Sequence, residues 1–298
     1  MSLEALMVAT QKLGASMEAL AALGAELRLR RDKLFAAPRL RQLLQEVVHG
    51  IDPKMLDGVT ADQEQAALAI IEGFFRQAVD LLENPARAPG WTHADPAVLH
   101  GQGLASRRFI RVIEVLASRQ ADLKEALQRP GVLLDVGTGV GWLAIEVARS
   151  WPAWKVVGID RYEPALSLAR KNVAASGFEQ RIELRAQSVE QLEDEGAFTL
   201  AWIPSPFLPP EIITAALERV RRALVPGGWV VFAVMMPPAC LWGEALTALK
   251  VVRNGGHPWK TEEVENKLLS MGFDQIEASP AAGTTLIVGR TKSAERRC

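Results

Sequence analysis

The sequence predicts a doubly wound α/β domain with a seven-stranded, mostly parallel sheet, preceded by an all-α region. Three observations carry this. Apolar runs without polar alternation recur between helical segments after residue 131, as buried parallel strands require. The first run, Val132–Val136, leads into Gly137-Thr138-Gly139-Val140-Gly141, a turn that leaves bare backbone for a ligand at a strand's carboxyl end. The first 128 residues lack strand signals.

The helical region comes first. Leu6, Leu13, Leu20 and Leu27 recur every seven residues, with Leu3 and Met17 on the adjacent line, so one long helix is expected. Thr10 and Gly24 interrupt the second line, which favours packing inside the chain's own helical domain over a coiled-coil homodimer seam. Thr60 and Gln63 have capping-box spacing and open a helix with Ile71, Phe74, Phe75, Ala78 and Leu82 on one face, stopped at Asn84-Pro85. The segment 88–96 reads as a loop, and a further helix is expected from Gln102 through Leu116, with a short successor. Arg129-Pro130-Gly131 marks the boundary, giving a helical cap, substrate or dimerisation domain at 1–128 and an α/β core at 129–298.

Within the core, strands are expected near 132–136, 155–160, 182–185, 198–203, 229–235, 273–278 and 284–290. The helix after Asp160 carries Pro164 in its first turn. The last two strands are joined by a short turn and must be antiparallel. Ala223–Gly243 carries no charge, but Pro226, Gly227, Gly228, Pro237 and Pro238 break it, so a buried strand is read there and no membrane span.

Composition narrows the function. The 298 residues are 49% hydrophobic and 23% charged, with a net charge of −1, which makes no electrostatic case for a nucleic-acid partner. Two cysteines, Cys240 and Cys298, form no disulfide framework, and Glu4 and Glu18 near the N-terminus argue against a signal peptide. A cytoplasmic location is expected. No His/Cys ligand spacing suggests a metal site.

The glycine turn separates two nucleotide classes. A dinucleotide fingerprint is G-x-G-x-x-G, and Trp142 occupies the place of its third glycine, where an indole would prevent close packing of helix on strand. Asp135 would repel a pyrophosphate but tolerate a ligand carrying an ammonium and a sulfonium. Asp160, ending the second strand, is placed to accept hydrogen bonds from both ribose hydroxyls of an adenosine.

Together LLDVGTGVG, VVGID, IELRAQSV, FTLAWIPSPF, ALERVRRALVPGGWVVFAV and LLSMGFDQI with TLIVGR, in this order, resemble the class I S-adenosylmethionine-dependent methyltransferases over residues 131–290. The resemblance implies a Rossmann-like core with its last strand inserted antiparallel, S-adenosylmethionine as cofactor, and methyl transfer by in-line displacement. On that basis Asp135, Gly137, Thr138, Gly139, Gly141, Asp160, Arg161, Tyr162, Gln187, Ser188 and Trp202 are expected at the cofactor. Pro204-Ser205-Pro206-Phe207 departs from the N-P-P-Y type motif, since proline replaces the amide that would accept from a planar nitrogen, and Thr199 stands where many relatives have an acid. That counts against base and glutamine-type targets. Trp91, Phe207, Met236 and Trp259 are expected to wall an apolar acceptor pocket. His257 and His93 are the candidate bases, ahead of His100 and His49. The expected acceptor is a small, partly apolar metabolite. A macromolecular methyltransferase, with Arg28, Arg30, Arg31 and Lys33 as a docking cluster, and a non-catalytic cofactor-binding protein stay open, as does an NAD-dependent dehydrogenase.

Overall fold

In a computed structural model, the described residues are 2–281 and 283–292; Cys298 lies outside them. The chain parts into two compact units, one of residues 1–85 with 95–105, the other of 86–94 with 106–298.

The first unit is helical: α1 (Leu3–Arg31), α2 (Pro38–Ile51), α3 (Ala61–Glu83) and most of α4 (Pro96–Ser106). The Thr60–Gln63 capping box forms as the spacing predicts. Its small core is Leu27, Leu68 and Ile71, with Leu20 and Leu23 packed against it. The leucine stripe of α1 is thus buried only toward its C-terminal end, while Leu3, Leu6, Leu13 and Met17 stay exposed. Internal packing accounts for half the stripe and not for the rest. Gly24 explains where α1 meets α3, because a Cβ there would come within 3.2 Å of Ile71. The three arginines of the early basic cluster pair within this unit: Arg28 with Glu72, Arg30 with Glu64 (2.9 Å) and Arg31 with Asp32 (2.6 Å).

The single helix expected at 102–116 is two, α4 and α5 (Phe109–Arg119), broken at Arg107–Arg108, whose side chains reach Glu146 and Thr284. The units also part earlier than residue 128. α5 and α6 (Ala121–Gln128) belong with the α/β unit because Ile110, Ile113, Leu116 and Leu123 are buried in the same cluster as Leu133 and Ile145. Trp151 Nε1 donates to Glu114 (3.1 Å) and Trp154 Nε1 to the Leu127 carbonyl (3.2 Å), fixing both helices to that unit.

The sheet comprises β1 (Val132–Val136), β2 (Lys155–Asp160), β3 (Ile182–Ala186), β4 (Phe198–Pro204), β5 (Leu224–Met235), β6 (Phe273–Ala281) and β7 (Thr284–Thr291), in the order β3-β2-β1-β4-β5-β7-β6. β1 to β5 are parallel, and β7 runs antiparallel to both β5 and β6, as expected. β5 starts earlier than read, since Pro226-Gly227-Gly228 turns within it rather than ending it. The crossover helices are α7 (Trp142–Ser150), α8 (Glu163–Ser176), α9 (Pro210–Ala223), α10 (Gly243–Arg253) and α11 (Thr261–Ser270). They cover the two faces, giving one apolar cluster on each. The strand order reverses direction at β1, between β2 and β4, and the carboxyl ends of these strands are where such sheets hold ligands. Among the described residues no helix is long and apolar enough to cross a membrane.

Candidate active site

The glycine turn is held by the backbone of its neighbour. Thr138 N donates to the Ile159 carbonyl (3.0 Å), and Gly137, Gly139 and Gly141 all have positive φ. At Gly139 a Cβ would meet nothing nearer than 3.9 Å, so the space beside this backbone is open for a ligand. Gly158 has the opposite cause: a Cβ there would sit 2.7 Å from Thr138 Oγ1, so the turn nests against β2 only because Gly158 lacks one. Asn172 on α8 adds a prop, its Nδ2 donating to the Val140 carbonyl (2.8 Å). Gly158 was legible as a glycine inside a strand; nothing near Asn172 in the sequence marks it.

Asp160 sits at the end of β2 with one oxygen accepting from Gly139 N (2.8 Å) and the other from Tyr162 N (2.8 Å). Burial raises its pKa, and these two bonds and the Arg161 charge oppose the rise. A carboxylate oxygen accepts more than one bond, so both retain capacity toward a diol. Asp135 is 1% exposed and accepts from the Thr138 hydroxyl (2.7 Å). Burial pushes it up to about 7, with the nearby negative Asp160 adding to the rise and the Thr138 bond opposing it. Asp135 thus braces the turn through Thr138, and its charge is unfavourable until a cation approaches.

Gln187 and Ser188 follow β3. Gln187 N donates to the Asp160 carbonyl (3.0 Å), and its side-chain amide donates to the Gln191 carbonyl (2.7 Å), which leaves its own carbonyl as an acceptor. Ser188 caps the 3-10 turn 189–191 reciprocally with Gln191, a local structural use. Arg161 is exposed, and the Tyr162 hydroxyl donates to the Thr92 carbonyl (3.3 Å). Trp202, expected at the cofactor, is 4% exposed and packs on Phe109 with ring centroids 4.9 Å apart. It pairs in register with Asp135 and supports the site from within the sheet, because inward-facing β4 residues have no route to the surface.

A second group of loops stands beside these. Trp91 meets His93 edge-on (5.1 Å) and Phe207 edge-on (4.9 Å). Gly90 N donates to the Arg253 carbonyl (3.0 Å), and Arg87 donates to the Gly90 carbonyl (2.9 Å) and to the Thr92 hydroxyl (2.8 Å). Gly256 lies so close to the β4 loop that a Cβ would be 2.4 Å from the Pro206 carbonyl oxygen. Segments 86–94, 204–207 and 253–257 are therefore one packed cluster. Trp91, Phe207, His93 and His257 gather in it, with His257 exposed and edge-on to Trp259 (4.7 Å). Met236 is 39% exposed at the end of β5, whereas Trp259 is directed to the second core cluster and lies near Lys267. Ser205 is 1% exposed and donates to the Ala233 carbonyl (2.6 Å). His100 falls in the helical unit, where burial lowers its pKa, and His49 lies on α2 of that unit.

A family described as methyltransferase domain matches residues 133–228. The human N-acetylserotonin methyltransferase structure in complex with S-adenosylmethionine superposes over 98% of this chain and 99% of that one, at 15% identity and TM-score 0.62. Residues 133–228 thus match a methyltransferase domain, and the chain shares the fold of that structure. An O-methyltransferase family protein from Burkholderia thailandensis shares the fold over 97% of this chain and 99% of its own, with TM-score 0.67 and 17% identity. The demethylmenaquinone methyltransferase of Thermus thermophilus is 36% identical over 121 residues, 40% of this chain and 54% of that protein. The release factor glutamine methyltransferase of Geobacter sulfurreducens is 28% identical over 141 residues, covering 44% of this chain and 49% of it. The chain spans about half the length of these curated relatives.

The residues at these strand ends fit S-adenosylmethionine. The open side of Gly139, the diol-ready Asp160 and the free carbonyl of Gln187 lie in succession along the ends of β1, β2 and β3. The cofactor, when bound, supplies a methyl group already activated by a sulfonium.

Proposed function

We propose that the protein transfers a methyl group from S-adenosylmethionine to oxygen, nitrogen or carbon of a small, partly apolar metabolite. The observation that carries this reading is the loop after β4. Its one polar side chain, Ser205, is turned inward onto the Ala233 carbonyl, while Phe207 meets Trp91. A loop built this way offers a planar amide or base no hydrogen-bonding clamp, and it offers an apolar body an aromatic wall. The pairing of Arg28, Arg30 and Arg31 with acids of their own unit speaks against an anionic macromolecule there. The residues of this chain would position the acceptor and exclude water, and His93 or His257 would take a proton where the acceptor must lose one.

The test is a metabolite extract incubated with the protein and methyl-deuterated cofactor, read by mass spectrometry. A small product shifted by one labelled methyl group is expected. Label found only on protein or RNA would overturn the reading.

A further inference from the structure

One buried side chain beside the aromatic wall carries a polar group that the fold does not use. Asn254 ends α10 and is 2% exposed, and among the described residues its Nδ2 has no hydrogen-bond partner. With Thr247 and Val251 it continues the buried face of α10, a helix that packs on the 205–207 turn. The residues after it fix its surroundings. A Cβ at Gly255 would come within 3.0 Å of the Gly90 Cα, and one at Gly256 within 2.4 Å of the Pro206 carbonyl oxygen. Gly90 and Pro206 immediately precede Trp91 and Phe207, so Asn254 is enclosed where the three loops of the aromatic cluster meet.

Local structure does not call for asparagine here. Its backbone is right-handed (φ −81°, ψ 0°), and the left-handed position falls on Gly255 (φ +89°). Its own N–H is met by the Lys250 and Val251 carbonyls (3.2 and 3.1 Å), bonds that other residues would make equally well. A buried amide donor without a partner is unfavourable, and an apolar side chain of similar size would avoid that cost. The contact over it at Gly255 and Gly256 is backbone against backbone, the construction of a segment that opens locally.

We propose that Asn254 is a specificity-determining residue: as the methyl acceptor enters, these loops part and the Asn254 amide donates to an oxygen on it. A ligand lacking that oxygen leaves the donor unpaired and is rejected. The acceptor class is therefore an apolar body bearing a hydrogen-bond-accepting oxygen. The inference rests on the small-acceptor methyltransferase reading.

The full chain and Asn254→Leu are compared with methyl-deuterated S-adenosylmethionine and serial dilutions of a metabolite extract, read by mass spectrometry. The extract concentration that gives half-maximal labelled product should rise about three- to tenfold in Asn254→Leu, the loss of one hydrogen bond. Removing an unpaired donor should also raise the unfolding temperature without acceptor by about 2–5 °C, which loss of an amide held by the fold would not do. If Asn254→Leu does not fold, Asn254→Ala should show the same rise in half-saturation, with S-adenosylhomocysteine binding reporting an intact fold. An unchanged half-saturation, a lowered unfolding temperature in folded Asn254→Leu, or a labelled small product whose formula contains no oxygen overturns the role of Asn254. Label found only on protein or RNA with the unaltered chain overturns the small-acceptor reading, and this inference with it.

Discussion

The loops that follow β1, β2 and β3 and those that follow β4 and β5 stand along the same sheet edge, yet they are built differently. On the first side the fastening is backbone: Thr138 to Ile159, Gln187 to Asp160, and Gly139 and Tyr162 to the Asp160 carboxylate. On the second side it is aromatic edges and long-range ties, Trp91 to Phe207, Gly90 to Arg253, and Gly256 against Pro206. The difference teaches that the proposed cofactor half is tied backbone to backbone between neighbouring strand ends. The proposed acceptor half is assembled from segments further apart in sequence.

The sharpest way to break this comparison is Asp160→Ala. It removes the acceptors of two backbone donors and of the proposed ribose diol together. Charged hydrogen bonds contribute roughly 1.5–3 kcal/mol each, so S-adenosylhomocysteine affinity should fall by about a hundredfold or more. Calorimetry decides it, and a loss under about tenfold would mean the ribose is held elsewhere.

Gly256→Ala attacks the other side. Its Cβ would collide with the Pro206 carbonyl oxygen at 2.4 Å, a backbone atom that cannot swing away. Overpacking of this kind costs about 1–3 kcal/mol, which should appear as a raised acceptor KM and a lower unfolding temperature. Cofactor affinity should change by less than about twofold, since the glycine turn shares no loop with Gly256. A larger loss of cofactor binding would show that the halves are one unit.

These two substitutions also mark what the sequence made legible. The strand positions, the antiparallel pairing of the last two strands and the glycine turn follow from apolar runs and local turn chemistry, while the insertion of β7 beside β5 was implied only by the family resemblance. Trp202 misled because an aromatic at a strand's end reads alike whether it faces a ligand or Phe109. Ser205 and Gly256 gave no signal because their partners lie at Ala233 and Pro206, contacts that only the folded chain creates. The break at Arg107–Arg108 was invisible for the same reason, with no proline or glycine to announce it.

A third test lies inside the cofactor half and turns on charge. Asp135 has an ordinary value of 3.8 and about 7 in the folded chain. As pH rises from about 4 to about 7, the unfolded chain loses this proton first, so folding stability should decline through that window and level off above it. A cationic ligand lowers the folded value. Cofactor binding should therefore release up to about one proton near pH 6, and affinity should weaken by up to about tenfold per pH unit below 7. Titration in buffers of differing ionisation enthalpy counts the proton. Asp135→Asn should abolish it, and proton release that persists in that variant would assign it to another group.

The smallest effect tests whether the two halves communicate. The Tyr162 hydroxyl, two residues beyond Asp160, donates to the Thr92 carbonyl next to Trp91 (3.3 Å), so it crosses from the cofactor side to the acceptor side. A bond of this length between neutral groups contributes about 0.5–1 kcal/mol. Tyr162→Phe should therefore speed amide hydrogen exchange in residues 91–93 by about two- to fivefold and leave cofactor affinity nearly unchanged. If S-adenosylhomocysteine slows exchange in that segment in the unaltered protein and not in Tyr162→Phe, the hydroxyl carries cofactor occupancy to the aromatic wall. If both proteins respond alike, the coupling runs through packing around Phe207, and the hydroxyl is only a local tie.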